Sequence, residues 1–475
     1  MIDQDRLLAA LGRLIGWLET WRTPEGAYHG FVVHRYEQKR MFRIHDTPWT
    51  QAAMIRGYFN LASRCAGDAA APWRDAMLLA ADLQADRLDP GTAVYRYAGH
   101  ENDRFRSLVH CALANCALMT VLPLVDDERR RRYLDVVRAN TDRYILGRLW
   151  VEEEGAFRFS DVDYYSPGED RFVVNFNTMA AENLLRLADA TGESRYRDYG
   201  VRVGEWLIAR WQDHCRQEQK GPAAEAAGAD DAGLAAPPGG LAYQYSRTRR
   251  EPDDCVAIYT GLALRGVRAL YDATARGEFG EMLRGAASFL LAMRDPETHL
   301  FYHTTRRWRI VPHPQFVAGA GMTLLGLLEA APLVGDAAVP VETVEAILDR
   351  TYANGSVPSF VGKNLNRRGG ADGVVWEDAV ASVNWNAQWF EYLTRLVADP
   401  ASVRAVAPRA VGRAERWFCY RDGPRSVGVV SWWPPASACV YYARKRWPLA
   451  PLCLRAQAAK ALVGRGLRRL RGRHD

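Results

Sequence analysis

The stretch from Gly155 to Gly192, GAFRFSDVDYYSPGEDRFVVNFNTMAAENLLRLADATG, decides the fold. A short aromatic run with Phe157 and Phe159 comes first, a polar loop rich in Asp and Tyr follows, and a helix begins near Val174. Apolar or small residues surround most of the circumference of this helix. A helix without a broad polar face is usually enclosed by protein on all sides. The stretch therefore predicts a core helix with a carboxylate- and tyrosine-rich loop at its N-terminal end.

The same unit recurs along the whole chain. Helical periodicity predicts twelve helices in six pairs, and the second helix of each pair starts near residue 47, 107, 174, 255, 314 or 379. The first helix of a pair is charged on one face, whereas the second is richer in Ala, Gly and Leu. We therefore expect the second helices to form an inner ring and the first helices to form an outer ring.

The connections between the helices are unequal in length. Those that lead from an inner to an outer helix are short, and those that lead from an outer to an inner helix are long. Four of the long connections carry aromatic residues typical of short β-strands: Tyr95-Arg96-Tyr97, Phe157-Arg158-Phe159, Tyr243-Gln244-Tyr245 and Phe301-Tyr302. All six long loops should lie at one end of the barrel. Long loops on a rigid scaffold are where function usually resides.

Composition narrows the class of protein. The N-terminus lacks the pattern of a signal peptide, and no apolar run reaches the roughly 18 residues of a membrane span. The eight cysteines are scattered without zinc-site spacing, which indicates buried, reduced thiols in a cytoplasmic protein. We expect neither a metal nor a cofactor.

Two segments depart from the repeat. The low-complexity stretch at about 217–239 predicts a disordered insertion within a toroid that spans residues 1–400. Residues 401–475 hold 16 Lys and Arg against 3 Asp and Glu. Aromatic residues and an apolar helical stripe accompany that charge, a combination typical of a segment that contacts an anionic membrane surface. The alternative is a tail that wraps the acidic body. No nucleic-acid module is evident, so we expect no nucleic-acid partner.

The pattern resembles the six-hairpin glycosidase-like (α/α)6 toroids, nearest to the toroid proteins of bacterial polysaccharide biosynthesis clusters. The resemblance covers about Gln4 to Asp399 and rests on the six hairpins, the aromatic runs and inner helices such as VVNFNTMAAENLLRLADATGESRY. It implies an all-α toroid with short β-runs in the long loops, and a carbohydrate bound among them. The family includes hydrolases, uronate lyases, epimerases and proteins without known activity, so the resemblance does not specify the reaction.

The loop residues indicate how such a ligand would be held. Six helix N-termini and many loop arginines favour an anionic group, such as a uronic acid or a glycan diphosphate. Aromatic faces pack well against the C–H faces of sugars. The candidate substrate-binding residues are Asp46, Trp49, Tyr97, Arg104, Tyr165, Arg171, Asn175, Asn177, Arg247, Tyr302, His303, Trp376, Asn384 and Trp385.

Two kinds of chemistry suit the candidate catalytic residues. Hydrolysis needs two carboxyl groups roughly 5 to 10 Å apart, whereas elimination or epimerisation needs a base such as His or Tyr. The candidates are Asp163, Asp253, Asp254, Glu377, Asp378, His100 and Tyr245. An Asp just before a helix is equally expected as an N-cap. His110 lies within an inner helix and is expected to be a core histidine.

Other functions remain open at this stage. The first hypothesis is a carbohydrate-active enzyme that acts on an anionic or lipid-linked saccharide, in the cytoplasm or peripherally on the inner membrane. The alternative is a non-catalytic glycan-binding or scaffold protein of a membrane-associated assembly. A terpene-cyclase-like isomerase is disfavoured, because Glu251-Pro252-Asp253-Asp254 lacks the full acidic motif of that class.

Overall fold

A computed structural model provides the structure of the chain. It describes residues 2–23, 25–33, 42–46, 48–96, 106–161, 171–220, 234–246, 254–306, 308–352, 355–361, 383–406, 417–422 and 426–431.

Twelve α-helices lie within the described residues, and they alternate between an outer and an inner set. The outer helices are α1 (Gln4–Glu19), α3 (Ala71–Asp86), α5 (Asp127–Asn140), α7 (Ser194–Lys220), α9 (Gly277–Ala292) and α11 (Val341–Leu348). The inner helices are α2 (Pro48–Ala62), α4 (Leu108–Thr120), α6 (Val174–Thr191), α8 (Ala257–Thr274), α10 (Ala320–Val334) and α12 (Val383–Leu396).

The inner helices form a closed ring. Each contacts the next in the order α2, α4, α6, α8, α10 and α12, and α12 contacts α2. Glycines allow this close approach. A Cβ atom on Gly261 of α8 would lie 2.5 Å from Thr323 Cα of α10, and one on Gly321 would lie 2.6 Å from Trp389 N of α12. The Ala- and Gly-rich composition of these helices is therefore a packing requirement.

The outer helices are amphipathic and cover the ring. On α1 the apolar residues Leu7, Leu11, Leu14 and Leu18 are buried, as helical periodicity predicts. The Asp3 side chain caps the start of α1 by accepting from the backbone N–H groups of Asp5 and Arg6. Together the two sets form an (α/α)6 toroid, so the predicted fold class is confirmed.

Short strands occupy the long connections. They are β1 (His29–Val33), β2 (Phe42–Asp46), β3 (Trp150–Val151), β4 (Ala156–Phe157), β5 (Arg171–Val173), β6 (Gln244–Ser246), β7 (Phe301–Arg306), β8 (Arg309–Phe316), β9 (Phe360–Val361), β10 (Trp417–Asp422) and β11 (Ser426–Ser431). The predicted aromatic runs thus contribute β4, β6 and β7, and Tyr95 pairs with Leu88 in an isolated bridge.

Neighbouring long loops pair with one another, which places them at one end of the barrel. Strand β5, before α6, pairs with β6, before α8, and β8, before α10, pairs with β9, before α12. Isolated bridges join Ser107 to Ser160 and Val256 to Thr304. This end, where the inner helices have their N-termini, is called the mouth. The space that the first two turns of these helices enclose is called the cup.

Two boundaries differ from the sequence prediction. Helix α10 begins at Ala320 rather than near 314, because Arg309–Phe316 is a strand that pairs with β7 and β9. Helix α7 continues to Lys220, and Ala235 is bridged to Arg309, so secondary structure extends into both edges of the 217–239 stretch. Residues 221–233 lie outside the described residues, as does most of the extension beyond 401.

Among the residues that the structure describes, one helical segment, Ala320–Ala338, is long and apolar enough to cross a membrane by length and composition alone. The expectation that no such segment exists is therefore wrong on those criteria. This segment includes α10, and half of it is buried inside the protein. Helix α10 contacts both α8 and α12, so its place in the ring accounts for its apolar surface.

Candidate functional site

Aromatic side chains surround the cup. Rings pack in pairs at the mouth, and each pair has at least one partly exposed member: Trp49 with His110 (6.4 Å between centroids), Phe159 with buried Phe176 (5.2 Å), Tyr243 with Tyr259 (4.9 Å), and Trp385 with buried Phe316 (5.8 Å). These pairs involve all six inner helices or the loops that precede them. Such a wall offers flat apolar faces around a polar centre, which suits a ligand with both C–H and O–H surfaces.

A cluster of charged residues closes the barrel below the cup. Arg56 of α2 donates from Nε and Nη2 to the two carboxylate oxygens of Glu391 on α12, each over 2.7 Å. Arg265 of α8 lies between Glu391 (3.3 Å) and Glu182 of α6 (3.1 Å), and Arg186 binds Glu182 (2.9 Å). We call these five residues the axial charge cluster. They tie four inner helices together across the barrel axis.

The cluster identifies the helix faces that line the barrel axis. Residues seven positions apart lie on nearly the same face of a helix and about 10 Å apart along it. Seven positions before Arg56, Glu182 and Glu391 stand Trp49, Asn175 and Asn384. These three side chains therefore lie on the axial faces of α2, α6 and α12, in the first turn of each helix. We call this level, between the mouth and the axial charge cluster, the floor of the cup.

Asn175 has an unusual environment. Only 2% of its surface is exposed, yet neither its Oδ1 nor its Nδ2 has a hydrogen-bond partner among the residues that the structure describes. Buried amides are nearly always paired, because an unpaired buried polar atom costs about 1–3 kcal/mol. Its position on the axial face makes this amide a candidate binding group for a ligand.

Two further polar groups join Asn175 at the floor. Asn384 is half-buried, and its Oδ1 lies 3.5 Å from Thr50 Oγ1. Gln388, one turn further along α12, donates to the carbonyl of Trp49 over 3.2 Å. These contacts hold the starts of α12 and α2 together and fix the position of Trp49.

His110 is half-buried in the first turn of α4, so it is less enclosed than the core histidine that the sequence predicts. Its Nδ1 lies 2.8 Å from Ser107 Oγ, and its ring meets Trp49 edge-on. Ser107 is itself buried and bridged to Ser160 of the next loop. The imidazole is thus held by a fixed partner beside an aromatic wall, an arrangement suitable for proton transfer to a bound ligand.

Three predicted site residues make structural hydrogen bonds within the barrel wall instead of facing the cup. The Tyr245 hydroxyl donates to the carbonyl of Arg210 (2.8 Å), and burial raises its pKa well above the ordinary value, so it is a poor base. The Tyr302 hydroxyl donates to Asp295 (3.0 Å). Asn177 is bonded to the backbone of Phe157 and Val173 and anchors β4 to α6.

The remaining described candidates lie at the mouth. Trp385 packs against Phe316 and Phe360, and His303 meets Phe316 edge-on (4.9 Å). Arg171 donates to Gln244 Oε1 over 3.4 Å. Asp254 is exposed before α8, where Val256 rather than an Asp occupies the N-cap position without a side-chain cap. Asp46 ends β2, immediately before α2.

Several predicted residues lie outside the described residues: Tyr97, His100, Arg104, Asp163, Tyr165, Arg247, Asp253, Trp376, Glu377 and Asp378. In the part of the chain that is described, no three His, Cys, Asp or Glu side chains are grouped to hold a metal ion. The sequence analysis did not select His110, Tyr259 and Gln388 for the site. Their position in the first two turns of inner helices is the signal that would have identified them.

Comparison with known proteins establishes the fold. No protein-family model matches the sequence, and no curated protein matches it. Among solved structures, a sugar epimerase from a ruminal bacterium is 13% identical with a TM-score of 0.57, covering 81% of this chain and 97% of its own. A D-mannose isomerase is 12% identical with a TM-score of 0.55, covering 83% and 98%.

A third similar structure is the unsaturated glucuronyl hydrolase of Bacillus sp. GL1. It is 15% identical with a TM-score of 0.51, and the match covers 86% of this chain and all of the hydrolase. At such identities the likeness concerns the fold alone. The resemblance to six-hairpin (α/α)6 toroids is thereby confirmed.

Proposed function

We propose that this protein is a carbohydrate-active enzyme that binds a sugar in the cup. The observation that carries the proposal is the buried amide of Asn175, which has no hydrogen-bond partner among the described residues, at the end of the barrel where the aromatic pairs lie. Aromatic faces pack against sugar C–H groups, and an amide can donate to one hydroxyl while it accepts from another. The carbohydrate enzymes that share the fold support the same interpretation.

Among hydrolysis, elimination and epimerisation, the described residues favour proton transfer at the sugar. Glycoside hydrolysis requires two available carboxyl groups. The carboxylates of Glu182 and Glu391 on the axial faces are both bound by arginines below the floor. His110, held by Ser107, is instead placed to exchange a proton with a ligand that lies against Trp49. Chemistry that starts with proton transfer at a sugar carbon, which covers isomerisation, epimerisation and elimination, is therefore the reaction class that we propose.

Calorimetric titration with simple sugars tests binding, and proton NMR in deuterated water tests the chemistry. With a bound reducing sugar, we expect exchange of the hydrogen next to the carbonyl carbon, followed by a new isomer. Tyr259→Ala should weaken binding about five- to tenfold through the lost ring contact. Tyr271→Ala, near the other end of α8, is the matched control and should bind like the wild type.

His110→Gln separates chemistry from binding. It should retain sugar affinity within about twofold and abolish exchange, because glutamine fills similar space without a titratable group. Sugar binding without exchange in the wild-type protein would instead identify a non-catalytic glycan-binding protein. If no sugar binds, the proposed function is wrong.

A further inference from the structure

We propose that Tyr144 is a positioning residue for proton transfer by His110. Its hydroxyl fixes the peptide group that precedes Ser107, and the Ser107 hydroxyl in turn fixes the imidazole. Tyr144 follows the outer helix α5 and belongs to the outer layer of the barrel rather than to the cup. The inference rests on the proposed function, because it assigns a residue that supports the proton transfer proposed there.

The side chain of Ser107 has an unusual partner for its position. Ser107 occupies the N-cap position of α4, yet it caps none of the backbone N–H groups described there. A serine at this position usually accepts from the N–H of the second or third helical residue, a bond worth about 1 kcal/mol. The third helical residue is His110, and Ser107 Oγ lies 2.8 Å from Nδ1 of its imidazole instead. The structure thus uses this hydroxyl to hold the imidazole.

The peptide group that carries the Ser107 N–H is held from two sides. Its carbonyl oxygen belongs to Arg106, and the Tyr144 hydroxyl donates to that oxygen over 2.7 Å. Ser160 Oγ donates to the same oxygen. Burial raises the pKa of Tyr144, so its hydroxyl keeps the proton that it donates. These bonds fix the backbone at Ser107, so its hydroxyl meets His110 at a defined place.

One carboxylate holds both Arg106 and Tyr144. Asp161 Oδ2 binds Arg106 Nη2 (2.7 Å) and Arg148 Nη1 (3.3 Å), and Asp161 Oδ1 lies 3.1 Å from the Tyr144 hydroxyl. The side chains of Arg106 and Asp161 are only 15% and 14% exposed, so salt screens their attraction weakly. Asp161 therefore fixes the residue before Ser107 together with the tyrosine that binds its carbonyl group.

A π-helix presents Tyr144 to these partners. The chain continues from the end of α5 at Asn140 into this π-helix, Thr141–Leu149. Its contacts with the loops before α4 and α6 place it at the mouth. Such helices are rare and occur frequently at functional sites. The π-helix is thus an observation that points to function independently of the role proposed for His110.

NMR of the histidine ring nitrogens in the unliganded protein tests the positioning without any sugar. Long-range proton–nitrogen spectra distinguish the two neutral tautomers of an imidazole, and His110→Gln identifies the signals of His110. We expect one tautomer in the wild type. Ser107→Ala and Tyr144→Phe should each produce a mixture of both tautomers, because the imidazole loses its fixed partner.

The sugar exchange assay tests the consequence for the reaction. Tyr144→Phe should lower the exchange rate at saturating sugar about tenfold and leave sugar affinity within about twofold, because a displaced imidazole impairs only the proton transfer. Tyr133→Phe is the matched control. Tyr133 is also buried, lies on α5, and donates to Asp82 Oδ1 over 2.8 Å. The control should lose similar stability but keep the exchange rate and the single His110 tautomer of the wild type.

The outcomes separate this inference from the proposed function. If Tyr144→Phe and Tyr133→Phe give the same exchange rate and the same His110 tautomer, the inference is overturned while the proposed function stands. A mixture of His110 tautomers in the wild type overturns it as well. If the wild type binds sugar without exchange, the proposed reaction is wrong, and a single tautomer that is lost in Tyr144→Phe would still support the positioning of His110.

Discussion

Asn175 and Glu182 are two buried polar side chains on the same face of one helix, and they differ in the partners that they have there. Both lie on the axial face of α6, and each is at most 2% exposed. Glu182 is neutralised by Arg265 and Arg186, so it belongs to the scaffold. The Asn175 side chain has no hydrogen-bond partner in the described part of the chain, which is why the proposed function assigns it to ligand binding. Both residues are buried, so the difference lies in their partners: Glu182 Oε1 is bound by two arginines, whereas neither polar atom of the Asn175 side chain is bonded to a described residue.

The ionisation of Glu182 should make stability depend on pH. Burial would raise its pKa, but Arg265, Arg186 and Arg56 outweigh that effect and lower it to about 2. Because the folded pKa lies below the unfolded value, the stabilisation is complete above about pH 5 and is lost as the pH falls toward 2.

Urea unfolding of the wild type and Glu182→Gln checks this at several pH values. The difference in free energy of unfolding should be about 3 kcal/mol near pH 7 and should shrink as the pH falls. Glu128→Gln, on the exposed side of α5, serves as the control with a small difference throughout. A difference that is constant down to pH 2 would contradict the assignment.

At the scale of single residues, the sequence predicted where along the chain a site residue lies better than it predicted which face of the helix its side chain occupies. Trp49, Asn175, Asn384 and Trp385 are selected as polar or aromatic ligand-binding candidates, and each lies in the first turn of an inner helix. Asn177 begins the same helix, yet it lies about 200° around the helix from Asn175 and binds the backbone of β4. The barrel axis had to be known before the axial faces could be assigned.

The elements themselves were more predictable. Inner and outer helices were separable from the sequence because glycine and alanine are required where two inner helices touch. The start of α10 was misplaced because Arg309–Phe316 is held extended by two partner strands from distant parts of the chain. Pairing between strands from distant parts of the chain is only weakly reflected in the local amino-acid composition.

Gly266 of α8 provides a test of the packing argument. A Cβ atom there would collide with the backbone carbonyl of Thr178 on α6. Gly266→Ala should therefore destabilise the protein by about 2 kcal/mol, although alanine is the better helix former. Gly277→Ala, at the start of α9 with open space around it, should be neutral or slightly stabilising. Urea denaturation measures both, and equal effects would refute the proposed role of close helix contact.

At the scale of the whole molecule, closure distinguishes a toroid from an open array of helical hairpins. Closure requires the first and last inner helices to meet, although more than 300 residues of chain separate Arg56 from Glu391. Their bidentate ion pair is nearly inaccessible to solvent, with side-chain exposures of 5% and 4%. The cup exists only if this junction forms, because Asn384 and Trp49 lie directly above it.

A double-mutant cycle measures the strength of the junction. Arg56→Met and Glu391→Gln should each cost about 3–5 kcal/mol, because each leaves a buried charge without its main partner. The double variant should cost clearly less than the sum of the two, since neither charge then remains. Arg395→Met, which breaks the more exposed pair between Arg395 and Glu329, should cost about 1 kcal/mol or less. Additive effects at Arg56 and Glu391 would mean that closure depends on apolar contacts between α12 and α2 instead, such as Tyr58 against Phe390.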